Sequence, residues 1–460
     1  MYPDQRGLAL TTDSADAVRH FDAAIRHYLE YRLATADDVK HALEADPNFV
    51  MGHCLAGCLL MTFQTLATRD RVLSHLTAAR AGLPHVSPRE ARHVAALEAW
   101  YGGNTRQVAR ILEQIVIDHP TDLLALRLHH FNSFWLGDSQ GLRSLPACAL
   151  GAWESSMPGF GNVLSMLAFG YEECGDYVTA ERLGRQAFEI SPDDLWAVHA
   201  VAHVLEMQGR LGEGMAWLDR APDAWADRNP FKDHLWWHAA LFPLERGDYE
   251  KVLALYDRSI RVDANGFYLD VQNAASLLLR LQLLDVDVGE RWQELADLAE
   301  ARIGDHVLPF TDLHFMMALA ASGRHDAAAR LLASLRGFSE TSPSDAATTM
   351  KSVGLQLSEA IVALVEGDYG AVVDRLAPIR RALADVGASH SQRDIFNLML
   401  IEAALRGGRA SLARALLSER VTLRPCSLGN WTRYAAALDA TGDRRAAAAA
   451  RQHRDELLAV

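Results

Sequence analysis

Leu167-Ala168-Phe169-Gly170-Tyr171-Glu172-Glu173-Cys174-Gly175-Asp176-Tyr177, followed by Ala180, Ala187 and Pro192, decides how this chain folds. Its centre is a glycine followed by a polar residue between two apolar, helix-spaced segments. The same punctuation recurs at Gly103-Asn104, Gly137-Asp138, Gly209-Arg210, Gly247-Asp248, Gly323-Arg324, Gly367-Asp368, Gly408-Arg409 and Gly442-Asp443. From Gly103 onward the glycine-to-glycine steps are 34, 38, 34, 38, 76, 44, 41 and 34. A step near 34 suits one helix–turn–helix unit, and 76 leaves room for two. Glycine is apt there because the residue ending the first helix needs a left-handed backbone without a Cβ penalty. Apolar residues recur at three and four along the chain, as in Ala91, Val94 and Ala95 or Leu112, Ile115 and Val116. Alternating β-branched runs are missing, so helix is predicted almost throughout.

Leu167-Ala168, Tyr171, Gly175-Asp176-Tyr177, Ala180, Ala187 and Pro192 resemble the tetratricopeptide repeat. In that pattern small residues let the two helices approach, and the proline closes the second. The expected fold is all-α: a superhelix, or α-solenoid, of roughly ten to twelve tetratricopeptide-like hairpins. It is expected to be one domain over 1–460, with an N-terminal helical cap over 1–45 and a C-terminal capping helix over 430–460. Within the cap a helix is predicted from Ala15 to Tyr31, with Ser14 as N-cap. Ser339 to Ser344 reads as a loop.

A longer resemblance runs in order from about residue 14 to 420. Met51-Gly52-His53, His93-Val94, His119-Pro120-Thr121-Asp122, Val198-His199 with Ala202-His203 and Glu206-Met207, and Trp237-His238 are similar to the tetratricopeptide repeat protein 38 family. So are Gly289 with Arg291-Trp292, Gln392-Arg393-Asp394 and Phe396-Asn397. The resemblance implies a soluble superhelical repeat protein and brings no established activity with it.

Composition narrows the partners. The formal charge of −14 argues against a general nucleic-acid or anionic-membrane binder. No run is long and apolar enough to span a bilayer, and Met1-Tyr2-Pro3-Asp4-Gln5-Arg6 lacks a signal-peptide core. Five scattered cysteines (Cys54, Cys58, Cys148, Cys174 and Cys426) suit a reducing compartment, so the expected location is cytoplasmic. Cys54 and Cys58 do not have a usual zinc-knuckle spacing, and packing is their simpler role.

Candidate chemistry centres on Trp196-Ala197-Val198-His199-Ala200-Val201-Ala202-His203-Val204-Leu205-Glu206. Trp196, His199, His203 and Glu206 fall three, four and three apart and so share one helix face. In the tetratricopeptide register they occupy groove-facing positions of a first helix. His234, Trp237 and His238 fall on the next first helix. His130 and His314 lie seven and nine residues before their turn glycines. The expected ligand site is therefore Trp196, His199, His203, Glu206, Trp237, His238, His130 and His314, facing a concave groove that takes a small polar molecule or a peptide segment. The rival is a metal centre from the i,i+4 pairs His199/His203 and His234/His238. Zinc, iron or manganese would suit such ligands. Glu206 and Asp270 are then the candidate catalytic groups, as base, further ligand or supporting partner. A plainer reading has these histidines bonding backbone and carboxylates inside a tightly packed superhelix, and a third is an assembly scaffold with no polar centre. Ser391-Gln392-Arg393-Asp394-Ile395-Phe396-Asn397 reads as a salt-bridged helix start or as a segment closing the groove.

Overall fold

The computed structural model describes residues 1–221, 223–262 and 266–459. Among these the chain is all-α apart from a two-residue antiparallel ladder, Tyr2–Pro3 with Ala9–Leu10, and an isolated antiparallel bridge between Arg32 and Arg228. The helices pair as hairpins, from Ala15–Leu29 with Thr35–Ala45 to Leu428–Ala440 with Arg444–Leu458. The architecture is an α-solenoid of tetratricopeptide-like hairpins. No described helix is long and apolar enough to cross a membrane.

All nine turn glycines are left-handed, with φ between +67° and +83°. Each repeats one hydrogen-bond pattern. In the 160–190 hairpin, Gly175 N–H donates to Glu172 O at 2.9 Å and Asp176 N–H to Tyr171 O at 3.0 Å. These bonds satisfy carbonyls that a helix end leaves open. The polar residue after the glycine then caps the second helix. Asp138, Asp176, Asp248, Asp368 and Asp443 each accept from the backbone N–H three residues on.

Glycine does not mark every turn. Tyr31, Gln64 and Asp285 hold equivalent positions with φ of +59°, +50° and +60°. Asp285 lies 38 residues from both Gly247 and Gly323, dividing the 76-residue step into two units. Its N–H and that of Val286 reach Gln282 O and Leu281 O, both at 3.0 Å. With the nine glycines, Tyr31, Gln64 and Asp285 make twelve turns, one for each of twelve hairpins among the described residues.

Two local expectations are refined. Ser14 caps Ala15–Leu29 through Ala17 N–H at 3.1 Å, and that helix stops because Tyr31 is the left-handed turn. Residues Ser339 to Thr341 are helical rather than looped, since the helix runs His325–Thr341. Ser339 and Thr341 return their hydroxyls to the carbonyls of Arg336 and Gly337, each at 2.8 Å, which lets polar residues stay in a helix. Residues 1–45 contain a full hairpin, and the alanine run Ala446 to Ala450 lies within Arg444–Leu458.

The hairpins gather into two compact units. The first comprises Met1–Val201, Asp223–Lys232 and Ser342–Thr348; the second comprises Ala202–Pro222, Asp233–Thr341 and Thr349–Val460. Helix Leu195–Met207 begins in the first and ends in the second. In the first unit, Leu123–Leu136 and Phe160–Glu173 are buried along most of their length. In the second, Tyr268–Gln282 is buried at every residue from Tyr268 to Leu281. A helix buried all round belongs to an interior. Any polar residue on it must find a partner there.

Candidate functional site

In the first unit Trp196 and His199 sit among aromatic rings. Trp196 donates its indole N–H to His130 Nε2 at 3.1 Å. The His199 ring is 4.6 Å from Trp196, 5.2 Å from Phe169 in a stacked pose and 5.3 Å from Phe231 edge-on. Arg127 is buried, lies 4.9 Å from the Trp196 ring and donates to the Tyr31 hydroxyl at 2.6 Å. Burial, with Arg127 nearby, holds His130 well below the ordinary histidine range, so it is neutral and accepts from Trp196.

Asp194 anchors the start of this helix. It accepts from Ser165 Oγ at 2.6 Å, Trp196 N–H at 2.8 Å and Asn162 Nδ2 at 3.0 Å. Burial still pushes its carboxyl up to about 6. His93 shows a fully structural histidine. It reaches Asp122 at 2.9 Å beside Arg89, and these two partners hold the buried Asp122 far below the usual carboxylate range despite burial.

In the second unit His203, His234 and His238 converge. Each offers a ring nitrogen within 4.8 Å of the others. His234 Nε2 and His238 Nε2 are 3.2 Å apart, and the His203 and His238 rings are centred 4.4 Å apart. The far nitrogens are held as well. His234 Nδ1 donates to Asn273 Oδ1 at 2.8 Å, and His238 Nδ1 donates to Glu206 Oε2 at 3.1 Å. Glu206 Oε1 accepts from Ser391 Oγ at 2.6 Å. Burial, with His238 beside it, keeps His234 well below the ordinary histidine range. Trp237 stacks on His234 at 5.3 Å and meets His238 edge-on at 4.8 Å.

The other expected residues are placed as follows. Glu206 sits behind His238, on the nitrogen remote from the convergence. Asp270 is buried in the first turn of Tyr268–Gln282, three residues before Asn273 and so on the same helix face. His314 donates to Phe310 O at 2.6 Å within its own helix, and burial lowers it to about 4. His199 belongs to the first unit, one turn before His203. Cys54 and Cys58 are buried, and burial raises Cys58 to about 12, as packing residues require. The 391–397 segment does start a helix, His390–Arg406, through a Ser389–Gln392 capping box. Asp394 there takes both Arg420 nitrogens, at 2.6 and 2.8 Å.

A hollow of about 560 Å³ opens beside Glu206, also within the second unit. Its lining includes Arg280, Ser391, Asp394, Glu402, Arg406, Arg420, Arg424 and Arg433. Burial would raise the Asp394 carboxyl, but Arg420 and Arg424 hold it well below the usual range. Glu402 pairs with Arg433, and Arg406 with Asp285 at 3.0 Å. Arg280 differs. Its guanidinium donates to Ser276 Oγ, Ser276 O and, at 2.8 Å, Ser391 O, all of them neutral. It lies 5.5 Å from the Trp237 ring, and burial lowers it to about 10 while Asp394 and Glu206 act on it from a distance.

Asn273, Ser276 and Arg280 were not singled out from the sequence. A signal was available: with Asp270 they fall three, three and four apart, a polar stripe on a mostly apolar helix.

No protein-family model matches the chain. Solved structures to which it is similar include the human IFIT1 dimer with m7Gppp-AAAA, at 13% identity over 89% of this chain and 90% of that one, TM-score 0.35. Naa15/Naa10 bound to HypK-THB matches at 14% over 96% and 75%, TM-score 0.27. The P58(IPK) TPR domain matches at 11% over 80% and 93%, TM-score 0.23. At such low TM-scores the RNA-like ligand and the protein partners belong to those proteins alone.

Proposed function

We propose that this is a binding protein, and that the hollow of its second unit takes a small polar molecule bearing a carboxylate or phosphate. One observation carries the reading: Arg280 is a buried cation whose hydrogen-bond partners are all neutral. A guanidinium taken from water without a counter-ion is costly. An anionic ligand would supply the opposite charge, in a geometry that arginine's planar fork suits. Glu206, on the same wall, would accept from a hydroxyl or amine of that ligand. Hairpins packed in tandem make a frame stiff enough to keep these groups apart when no ligand is bound. A single repeat array, a place among relatives of the tetratricopeptide repeat protein 38 family and a cytoplasmic location, in keeping with five free cysteines, complete the reading.

The test is the thermal midpoint of the full chain with added malate or inorganic phosphate, against Arg280→Met. The wild-type midpoint should rise with anion concentration. The variant should stay folded and bind about ten- to hundredfold more weakly, as expected for a lost charge-assisted bond. If neither anion raises the wild-type midpoint, or both raise wild type and variant alike, the reading is wrong.

A further inference from the structure

We propose that His203, His234 and His238 form a binding site for a divalent transition-metal ion of the zinc class, with Asn273 and Glu206 orienting two of the rings from behind. This does not depend on the anion reading of the hollow.

Asn273 Oδ1 and the Glu206 carboxylate are acceptors, so the Nδ1 atoms of His234 and His238 carry the hydrogens. In the neutral rings both Nε2 atoms then present lone pairs, and they face each other at 3.2 Å. Two lone pairs at that distance in a buried site repel unless something positive lies between them. A tetrahedral ion with bonds of about 2.0–2.1 Å holds its nitrogen ligands about 3.3–3.4 Å apart. The observed separation is close to that edge.

A proton shared between the two rings would relieve the same repulsion. A shared proton would need two rings and would make one of them a cation. The third imidazole is what distinguishes the readings. His203 brings a ring nitrogen within 4.8 Å of the other two, and a proton bridge has no use for it. Imidazole nitrogens gathered three or more to a point are a ligand set typical of zinc. The supporting bonds match as well. Metal-binding histidines characteristically donate their second N–H to a carboxylate or carbonyl, which fixes ring orientation and raises basicity. Glu206 does this for His238 and is itself steadied by Ser391. Glu206 is therefore a positioning residue, because the nitrogen it binds points away from the convergence.

The test uses the full chain. Elemental analysis after purification, and titration with zinc(II) and cobalt(II) against a chromophoric chelator, read metal content and affinity. One equivalent is expected, with cobalt giving the visible absorption of a tetrahedral nitrogen site. His234→Ala and His238→Ala should each abolish it. Should those variants not fold, Asn273→Leu keeps all three imidazoles, and its affinity should fall about ten- to hundredfold. A folded wild type that neither contains nor takes up either metal, or metal content unchanged in His234→Ala and His238→Ala, overturns the proposal. So does an unchanged affinity in Asn273→Leu.

Discussion

Ser391 donates its hydroxyl to Glu206 at 2.6 Å from 185 positions further along the chain. That bond ties the start of His390–Arg406 to the end of Leu195–Met207, and Glu206 passes the constraint on to His238. The three residues form one chain of donors and acceptors, which sets unequal costs for breaking it at different points.

Ser391→Ala should cost about 1 kcal/mol, the net worth of one hydrogen bond, because the Glu206 side chain keeps 16% of its exposure and water can take the vacant lone pair. Glu206→Leu should cost more, about 1–3 kcal/mol, because it leaves the His238 Nδ1–H buried without an acceptor. Urea denaturation followed by tryptophan fluorescence measures both. Equal effects would show that the carboxylate does not hold the imidazole.

The turns differ in their tolerance of a side chain. Gly209→Ala should destabilise by about 1–2 kcal/mol from the left-handed backbone alone. The added Cβ would also stand 2.7 Å from Cys426 Cβ and 2.9 Å from its carbonyl oxygen. Asp285→Gly, in an equivalent turn with φ +60°, should change stability by less than about 1 kcal/mol. Relief of backbone strain there is offset by a freer unfolded chain. The comparison needs only the two denaturation midpoints; a larger loss in Asp285→Gly would contradict it.

Asp194 sets a pH dependence. Its folded pKa, about 6, lies above the ordinary 3.8, so burial penalises the charged form. Below pH 4 the group is protonated in both folded and unfolded chains and the penalty is absent. As pH rises from about 4 to 6 the unfolded chain ionises first, and stability falls by on the order of 2–3 kcal/mol, then levels. Asp194→Asn should remove this descending slope whatever it does to absolute stability. Unfolding free energies of wild type and variant between pH 4 and 7 decide the matter, and parallel curves would count against it.

Thiol reactivity should divide by burial. Cys148 and Cys426 are exposed and should react promptly with a disulfide reagent in the native protein. Cys54 and Cys58 are buried, and burial pushes both thiols up, so they should react only on unfolding. Mass mapping of the labelled positions after a short exposure tests this. Early modification of Cys54 would show that its helix opens readily.

The glycine–polar register alone was enough to predict an array of hairpins, because a left-handed turn and the cap that follows it are local demands. It left room for two units across the 76-residue step without identifying the turn, because Asp285 stands in for glycine there and a short polar side chain tolerates that backbone. The histidine helices were legible from spacing, but the partners were not. Asn273, Ser391 and Arg280 lie 39, 185 and 111 positions from the groups they bond. Periodicity within one helix says nothing about which other helix faces it. Local chemistry thus determined the repeat, its turns and the face that carries the imidazoles. Tertiary packing decided which ring nitrogens meet, which carboxylate stands behind them, and that one buried arginine has only neutral partners. Those outcomes depend on how hairpins distant in sequence stack, and no short stretch of the chain encodes that.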